Sequence, residues 1–529
     1  MHPLSKPIPM KPFATLLTLF FLAASSAWAD VRLPAFFSDH AVLQRDKPLP
    51  VWGWAAPGEP VSVALGAQKG AATAGADGRW IVRLAAQPMS KEPLTLTVAG
   101  KNRIDIKDVL LGDVWLCSGQ SNMTMPMSGF SKIPEYPDDL KAATQPLIRQ
   151  FGAKDVSAIE AQSDIEGTWA VSSAKSVGGF SAVGYHFARA LHAQTGVPIG
   201  ILRAAKGSTI IEMWLSQETI LTTAGIKPLG DKLRSALAAW EQAKNQAVAA
   251  GKKPDAADFP PHPLSEASTL RPRFATRYNS MIAPFAGMAL RGIVWYQAET
   301  NSLNPQLTAA YPAAQHALVD SWRKLFGDEA LPFLYVQLPN YRDVSNDPGL
   351  VENWALMRES QTKCLKIPNT HMAVTIDIGQ AGDIHPFNKY DVGERLAALA
   401  MHHIYGKKEV IPSGPMFKGM TIKGGKATIA FSELGGGLMV GTKEKRGPAV
   451  IQPNGKLQRF AVAGADKKWV WAEAVIEGET VVVSSPQVPV PVAVRYAFSS
   501  NPEGANLYNR AGLPASPFRT DTWPPQGVK

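Results

Sequence analysis

Between residue 31 and about residue 108, apolar and polar positions alternate in short runs. Residues 48–54, 61–65, 80–84 and 94–98 carry the two-residue period of half-buried strands, with Asp77-Gly78 and Gly100 as turn signals between them. Short, evenly spaced strands of this kind predict a β-sandwich. The pattern changes at Asp108. Residues 109–111 and 114–117 are unbroken apolar runs, as expected of strands covered on both faces of a parallel sheet. A helical period follows at 184–192, then a strand at 197–202 and an Ala-rich helix with charged faces over 232–250. Residues 293–296, 333–337 and 372–376 read as further buried strands, with helices over 309–325 and 392–405 among them. Strand and helix in alternation predict a doubly wound α/β domain with a parallel sheet. A helical, Pro-bounded insertion interrupts it over 217–270. From about 412 alternating and β-branched runs return at 420–423, 426–431, 458–462 and 480–484, which predicts a second β region.

The first 29 residues fit neither pattern. Lys6 and Lys11 precede an apolar run of about a dozen residues, and Ala27-Trp-Ala29 places small residues where a signal peptidase reads. The run is shorter than the ~20 residues a membrane helix needs. The expected organisation is therefore a signal peptide at 1–29 with cleavage after Ala29, an N-terminal β-sandwich domain at 30–107, a catalytic α/β domain at 108–411 and a C-terminal β domain at 412–529. The expected location is periplasmic or secreted, with no membrane attachment after cleavage.

Composition adds three limits. At 529 residues with 45% hydrophobic and 19% charged, the chain is too long for one small domain and too apolar for disorder. The net charge of +10 is spread along the chain, and its densest stretch, Lys443-Glu-Lys-Arg446, carries an acid, so no nucleic-acid partner is expected. The two Cys, Cys117 and Cys364, make neither a disulfide framework nor a four-Cys zinc site, and the sequence leaves open whether they are bridged.

Candidate chemistry lies where the buried strands end. Ser121, in Gly119-Gln-Ser-Asn-Met123, directly follows the run at 114–117, at the carboxyl end of a parallel strand where α/β sheets bind ligands. A helix starting there would turn its N-terminal N–H groups toward developing negative charge; the same position equally suits a capping serine. A nucleophilic serine needs a base, and the base an orienting acid. Of ten His, only His385 sits in a sharp constellation, Asp383-Ile-His-Pro386, in which residues two apart in an extended loop point to one side. Three oxyanion donors are available at strand ends: the Ser121 N–H, the Gly207 N–H in Lys206-Gly-Ser-Thr209 and the Gln297 side-chain amide after 293–296. A turn glycine and a core glutamine are the ordinary readings of the last two.

Taken together these blocks resemble the sialate O-acetylesterase family of the SGNH hydrolases. Gly112-Asp-Val-Trp-Leu-Cys-Ser-Gly-Gln-Ser-Asn-Met123 is similar to its nucleophile block. Gly207 with Ile211-Glu-Met-Trp214 resembles the second, usually Gly-Gly-Thr-Pro-Ile-Glu-Ala-Trp, with Ser208, Ile210 and Met213 replacing Gly, Pro and Ala. Trp295-Tyr-Gln-Ala-Glu-Thr-Asn301 resembles the third, usually Trp-Tyr-Gln-Gly-Glu-Ser-Asn, with Ala298 replacing Gly and Thr300 replacing Ser. Asp383-Ile-His-Pro386, Asn388-Lys389 and Val392-Gly393 match the last. Flanking matches at Leu33-Pro34, Phe37-Ser-Asp-His40 and Gly512-Leu-Pro-Ala-Ser-Pro-Phe-Arg519 extend the likeness over about 31–520.

The resemblance implies a flavodoxin-like SGNH-hydrolase domain, a three-layer α/β/α sandwich flanked by β-sandwich-like regions. It implies a serine esterase acting on an O-acetylated sugar or glycan, most readily a 9-O-acetyl sialate, with Ser121, His385 and Asp383 as the triad and Ser121, Gly207 and Gln297 as the oxyanion hole. No cofactor or metal is implied. Trp214, Trp354, Glu299 and Asn301 are candidates for substrate contact, although Trp often serves as core and Glu299 and Glu212 also suit buried hydrogen-bonding roles. An acetylxylan or other polysaccharide acetylesterase is the alternative on the same scaffold. A carbohydrate-binding protein without activity is a third reading, against which the intact triad speaks.

Overall fold

A computed structural model describes residues 30–524 except 255 and 257, so the expected signal peptide lies outside the described residues. The N-terminal region holds β1 (Val42–Gln44), β2 (Leu49–Trp54), β3 (Pro60–Leu65), β4 (Gln68–Thr73), β5 (Arg79–Leu84) and β6 (Ser90–Ala99). β2 and β5 pair as one ribbon, while β4, β3 and β6 pair onto the first half of β7 (Arg103–Gly119), with β1 parallel to it on the other side. Inward residues alternate with outward ones: in β5, Trp80, Val82 and Leu84 are buried and the intervening positions exposed.

β7 is the spine of the molecule. Residues 109–111 and 114–117, which read as two runs, belong to one strand of 17 residues that leaves the N-terminal sheet and enters the central one. Gly112 permits the passage, since a Cβ there would lie 2.1 Å from the Pro198 carbonyl oxygen. Asp113, fully buried, takes hydrogen bonds from Arg45, Gln44 and Tyr405. Residue 108 thus falls inside a strand that two regions share.

The central sheet also contains β8 (Gln145–Ala153), β9 (Gly167–Ser172), β10 (Ile199–Ala205), β11 (Gly292–Tyr296), β12 (Phe333–Val336) and β13 (Thr370–Ala373), in the order β13-β12-β11-β7-β10-β8-β9. All neighbours are parallel except β8–β9. Alternate residues of each strand feed different cores. Val294 and Tyr296 of β11 join α3 (Ala182–Thr195) and α8 (Lys389–His403), whereas Ile293 and Trp295 join α6 (Pro305–Phe326) and α7 (Asn353–Lys363). The doubly wound three-layer domain is therefore present, and its chain reverses direction at β7, between β10 and β11, where such sheets bind ligands. The 217–270 segment is helical, chiefly over Lys227–Ala249.

The C-terminal region is built from antiparallel sheets, one ordered Met416–Lys423, Lys426–Ser432, Thr480–Ser484, Glu473–Glu477. Buried polar contacts seat it on α7: the Arg358 guanidinium donates to the Ser499 and Ser500 carbonyls, and Arg519 makes two bonds to Glu359 at 2.9 and 3.0 Å. Cys117 and Cys364 are free and buried, and burial raises both thiol pKa values, that of Cys117 to about 12.

Candidate functional site

Register brings three loops to one place. Gly119, the last residue of β7, is level with Ala205 of β10 and Tyr296 of β11, so Ser121, Gly207 and Gln297 all lie one or two residues past the ends of adjacent strands. The chain turns sharply there. Gly119 has φ +135, and a Cβ on it would lie 2.1 Å from the Tyr296 carbonyl oxygen. The Gln120 N–H donates to that oxygen at 2.9 Å, and the Lys206 N–H to the Gly119 oxygen at 3.0 Å. Ser121 opens a one-turn helix, α1 (Ser121–Thr124), and is half-buried. A Cβ on Gly207 would sit 3.4 Å from Ser121 Cβ, so the two backbones are adjacent. Within the described residues neither the Ser121 N–H nor the Gly207 N–H donates to a backbone carbonyl.

The third component comes from the loop after β13. Asp383 Oδ1 accepts the His385 backbone N–H at 2.8 Å and lies 3.5 Å from His385 Nδ1. Its Oδ2 accepts from Lys132 Nζ at 3.1 Å. Burial raises the Asp383 pKa, but the His385 N–H and Lys132 outweigh it, and the net position is below the usual carboxylate range. His385 is lowered, first by burial and then by the positive charge of Lys389. The Phe130 ring meets the imidazole edge-on, with centroids 6.0 Å apart. This loop is tied to the serine turn: Asn122 Nδ2 donates to the Ile384 carbonyl at 3.0 Å, so the residue after Ser121 bonds the residue before His385.

Behind the turn lies a buried polar web. Gln297 Nε2 is within 3.1 Å of Gln120 Oε1, 2.9 Å of the Thr209 carbonyl and 2.8 Å of Asn301 Oδ1. Asn301 donates to Glu212 at 3.0 Å, and Asn122 to Glu299 at 2.5 Å. Burial pushes Glu212 up to about 7 and raises Glu299 as well.

Comparison with known proteins places this arrangement. The family model for carbohydrate esterase, sialic acid-specific acetylesterase, matches residues 111–250 and 268–402. The chain belongs to that family. A sialate O-acetylesterase of Mus musculus is 29% identical over 96% of this chain and 97% of its own, and one of Rattus norvegicus 30% identical over 76% and 79%. A carbohydrate acetylesterase from Xanthomonas citri has a crystal structure that superposes with a TM-score of 0.78 at 37% identity, covering 93% of this chain and all of that one.

Two residues near the site depart from the family pattern. Ser208 and Ala298 stand where glycine is usual, and they adopt φ +59 and +144. Side chains rarely take these conformations, which cost about 1–3 kcal/mol each and persist where surrounding structure enforces them. Ala298 is fully buried beside the Gln297 web that does so.

Five expectations for this carbohydrate esterase are corrected. Gln297 offers no spare oxyanion donor: it is fully buried and its two N–H bonds have three internal acceptors. Trp214 and Trp354 are 0% and 2% exposed, with their indole N–H groups bonded to Thr209 Oγ1 and the Pro339 carbonyl, so neither can stack on a sugar. Glu299 and Asn301 are enclosed as well, and their bonds run to Asn122, Gln297 and Glu212. Lys132 carries no local signal, because its partner Asp383 lies 251 positions away, and Lys389, although it stands in the last matched block, shows nothing along the chain of its bond to Asn122, 267 positions away.

Proposed function

We propose that this carbohydrate esterase removes O-acetyl groups from sugars through an acetyl-enzyme on Ser121, and that O-acetyl sialates are its substrates. The observation that carries the reading is the meeting of Ser121, Gly207 and the Asp383–His385 loop at the β7 switch point, stitched by the Asn122–Ile384 bond. His385 takes the Ser121 proton as the hydroxyl attacks the acetyl carbonyl. The Ser121 and Gly207 N–H groups receive the oxyanion, which two unengaged backbone donors at a turn are suited to do. His385 then protonates the departing sugar oxygen, and water activated by the same ring releases acetate. Asp383 fixes the imidazole and balances its charge. The similarity to sialate O-acetylesterases over nearly the whole chain supports the sialate assignment. The higher identity to the Xanthomonas citri protein, described only as a carbohydrate acetylesterase, supports a second reading, acetylxylan or another acetylated polysaccharide as substrate. Export with cleavage after Ala29 belongs to the same proposal.

The test is acetate release from 9-O-acetyl sialic acid, acetylated xylan oligomers and acetylated hexosamines. The sialate reading expects kcat/KM at least about tenfold higher on the first, a difference of ~1.4 kcal/mol; preference for xylan or hexosamine esters would replace it with the second. A pH profile tests the base. His385 must be neutral to accept the proton, and its pKa is lowered from 6.5, so activity should persist below pH 6.5 and fall only as pH drops further. An acidic limb centred above 6.5 would exclude His385 in this environment.

A further inference from the structure

Lys389 occupies an unfavourable place for a cation. It is the first residue of α8, where the helix dipole opposes positive charge, and its side chain is fully buried. Buried lysines are rare and costly unless something holds them. Here the ammonium donates to Asn122 Oδ1 at 2.7 Å and to the Pro386 carbonyl at 2.6 Å, and it lies 5.8 Å from the centre of the Tyr296 ring. Asn122 directly follows Ser121, and Pro386 directly follows His385. Asn122 in turn grips the Ile384 carbonyl, so the loop is held on both sides of His385, through Ile384 by the amide and through Pro386 by the ammonium. The Glu299 carboxylate completes the cluster from the third strand end, bonding Asn122 and attracting Lys389.

We propose that Lys389 is a positioning residue: with Asn122 and Glu299 it locks the loop carrying His385 to the turn carrying Ser121. The proposal rests on the Ser121–His385 reading above. Among the described residues, Asn122 and Lys389 both hydrogen-bond from the serine turn to the histidine loop, and Asn122 is itself held by Lys389. Burial lowers the Lys389 pKa to about 7, with Glu299 and Asp383 pulling the other way. The charged groups around His385 are Asp383, Lys132 and Lys389. Positive charge on Lys389 disfavours the imidazolium, so its removal moves the acidic limb of activity to higher pH.

The experiment uses the full chain with p-nitrophenyl acetate and compares Lys389→Met, Asn122→Ala, the double variant and Ser121→Ala, with rates normalised to folded protein by circular dichroism. A displacement of about 1 Å between reacting groups costs about 10²-fold. Each single variant should therefore lose about 10²-fold in kcat with KM little changed. The double variant should lose little more than the worse single one, because both break the same link. The acidic limb should move to higher pH in Lys389→Met and stay in place in Asn122→Ala, which keeps the charge. Additive losses, an unmoved limb in Lys389→Met, or parental kcat in either single variant would overturn the proposal. Should Lys389→Met fail to fold, Asn122→Ala alone decides it, by its kcat. If Ser121→Ala turns over like the parent, the serine-esterase reading fails instead, whatever the lysine variants do.

Discussion

Ser121→Ala is expected to lower kcat/KM for acetate release by at least about 10⁴-fold, with no loss of stability. Removal of the nucleophile from a serine triad elsewhere costs up to ~10⁶ in kcat, and the remaining rate comes from the oxyanion hole and binding. In this chain the Gly207 N–H, the Ser121 N–H and His385 would all remain in place. Alanine is also the best helix former for the first position of α1, and the Ser121 side chain is the cap of nothing: Gln120 precedes the helix, and no side-chain hydrogen bond caps it. The melting temperature should accordingly stay within about 2 °C, since surface changes of this sort fall within about ±0.5 kcal/mol. A fluorophosphonate probe that labels the parent should leave the variant untouched. Turnover within tenfold of the parent would move the nucleophile elsewhere.

Gly119→Ala should have the largest effect on folding. The added Cβ would sit 2.1 Å from the Tyr296 carbonyl oxygen, a backbone atom at the end of β11 that is held by the Gln120 N–H and cannot swing aside, and φ is +135. Relief would require β7 and β11 to separate at the end of the central pair. Overpacking of a rigid core costs about 1–3 kcal/mol, and strain at a positive φ adds about 1–3 more. Because total stability is typically 5–15 kcal/mol, the variant should be recovered largely unfolded or with a melting temperature many degrees lower. Gly207→Ala is the control: its Cβ would meet Ser121 Cβ at 3.4 Å, an ordinary contact, so the fold should persist. A Gly119→Ala protein as stable as the parent would mean that the turn relaxes in solution.

The sequence was legible where one residue's surroundings are set by its near neighbours. Strands buried on both faces tend to be apolar: β11 and β12 are so throughout, and β7 and β10 over 114–117 and 199–202. The helix α6 shows a 3.6-residue period in Tyr311, Ala314, Leu318 and Trp322 because its inner face meets apolar strands. Two elements stayed hidden for the opposite reason. α7 turns Asn353, Arg358, Ser360 and Gln361 inward, and β8 buries Arg149 and Gln150. Their polar groups are satisfied by distant carbonyls and amides, Arg358 by Ser500 and Gln150 by Ser181, so neither element carries an apolar period.

The site divides in the same way. By itself the sequence determined which chemical groups stand at the strand ends, because strand ends and turn glycines are local features: Ser121 after β7, Gly207 after β10, Gln297 after β11 and Asp383–His385 beyond β13. Only the tertiary structure decided which of them stay partly accessible. Gln297, Trp214, Trp354, Glu299 and Asn301 turn inward, because buried polar atoms must find partners and most of the partners they find, Gln120, Asn122, Thr209 and Glu212 among them, lie in the loops and short helices beyond the strand ends. Asn122 and Lys389, 267 positions apart, meet only once β7 and α8 pack on the same sheet. That contact joins the serine turn to the histidine loop, and no spacing along the chain encodes it.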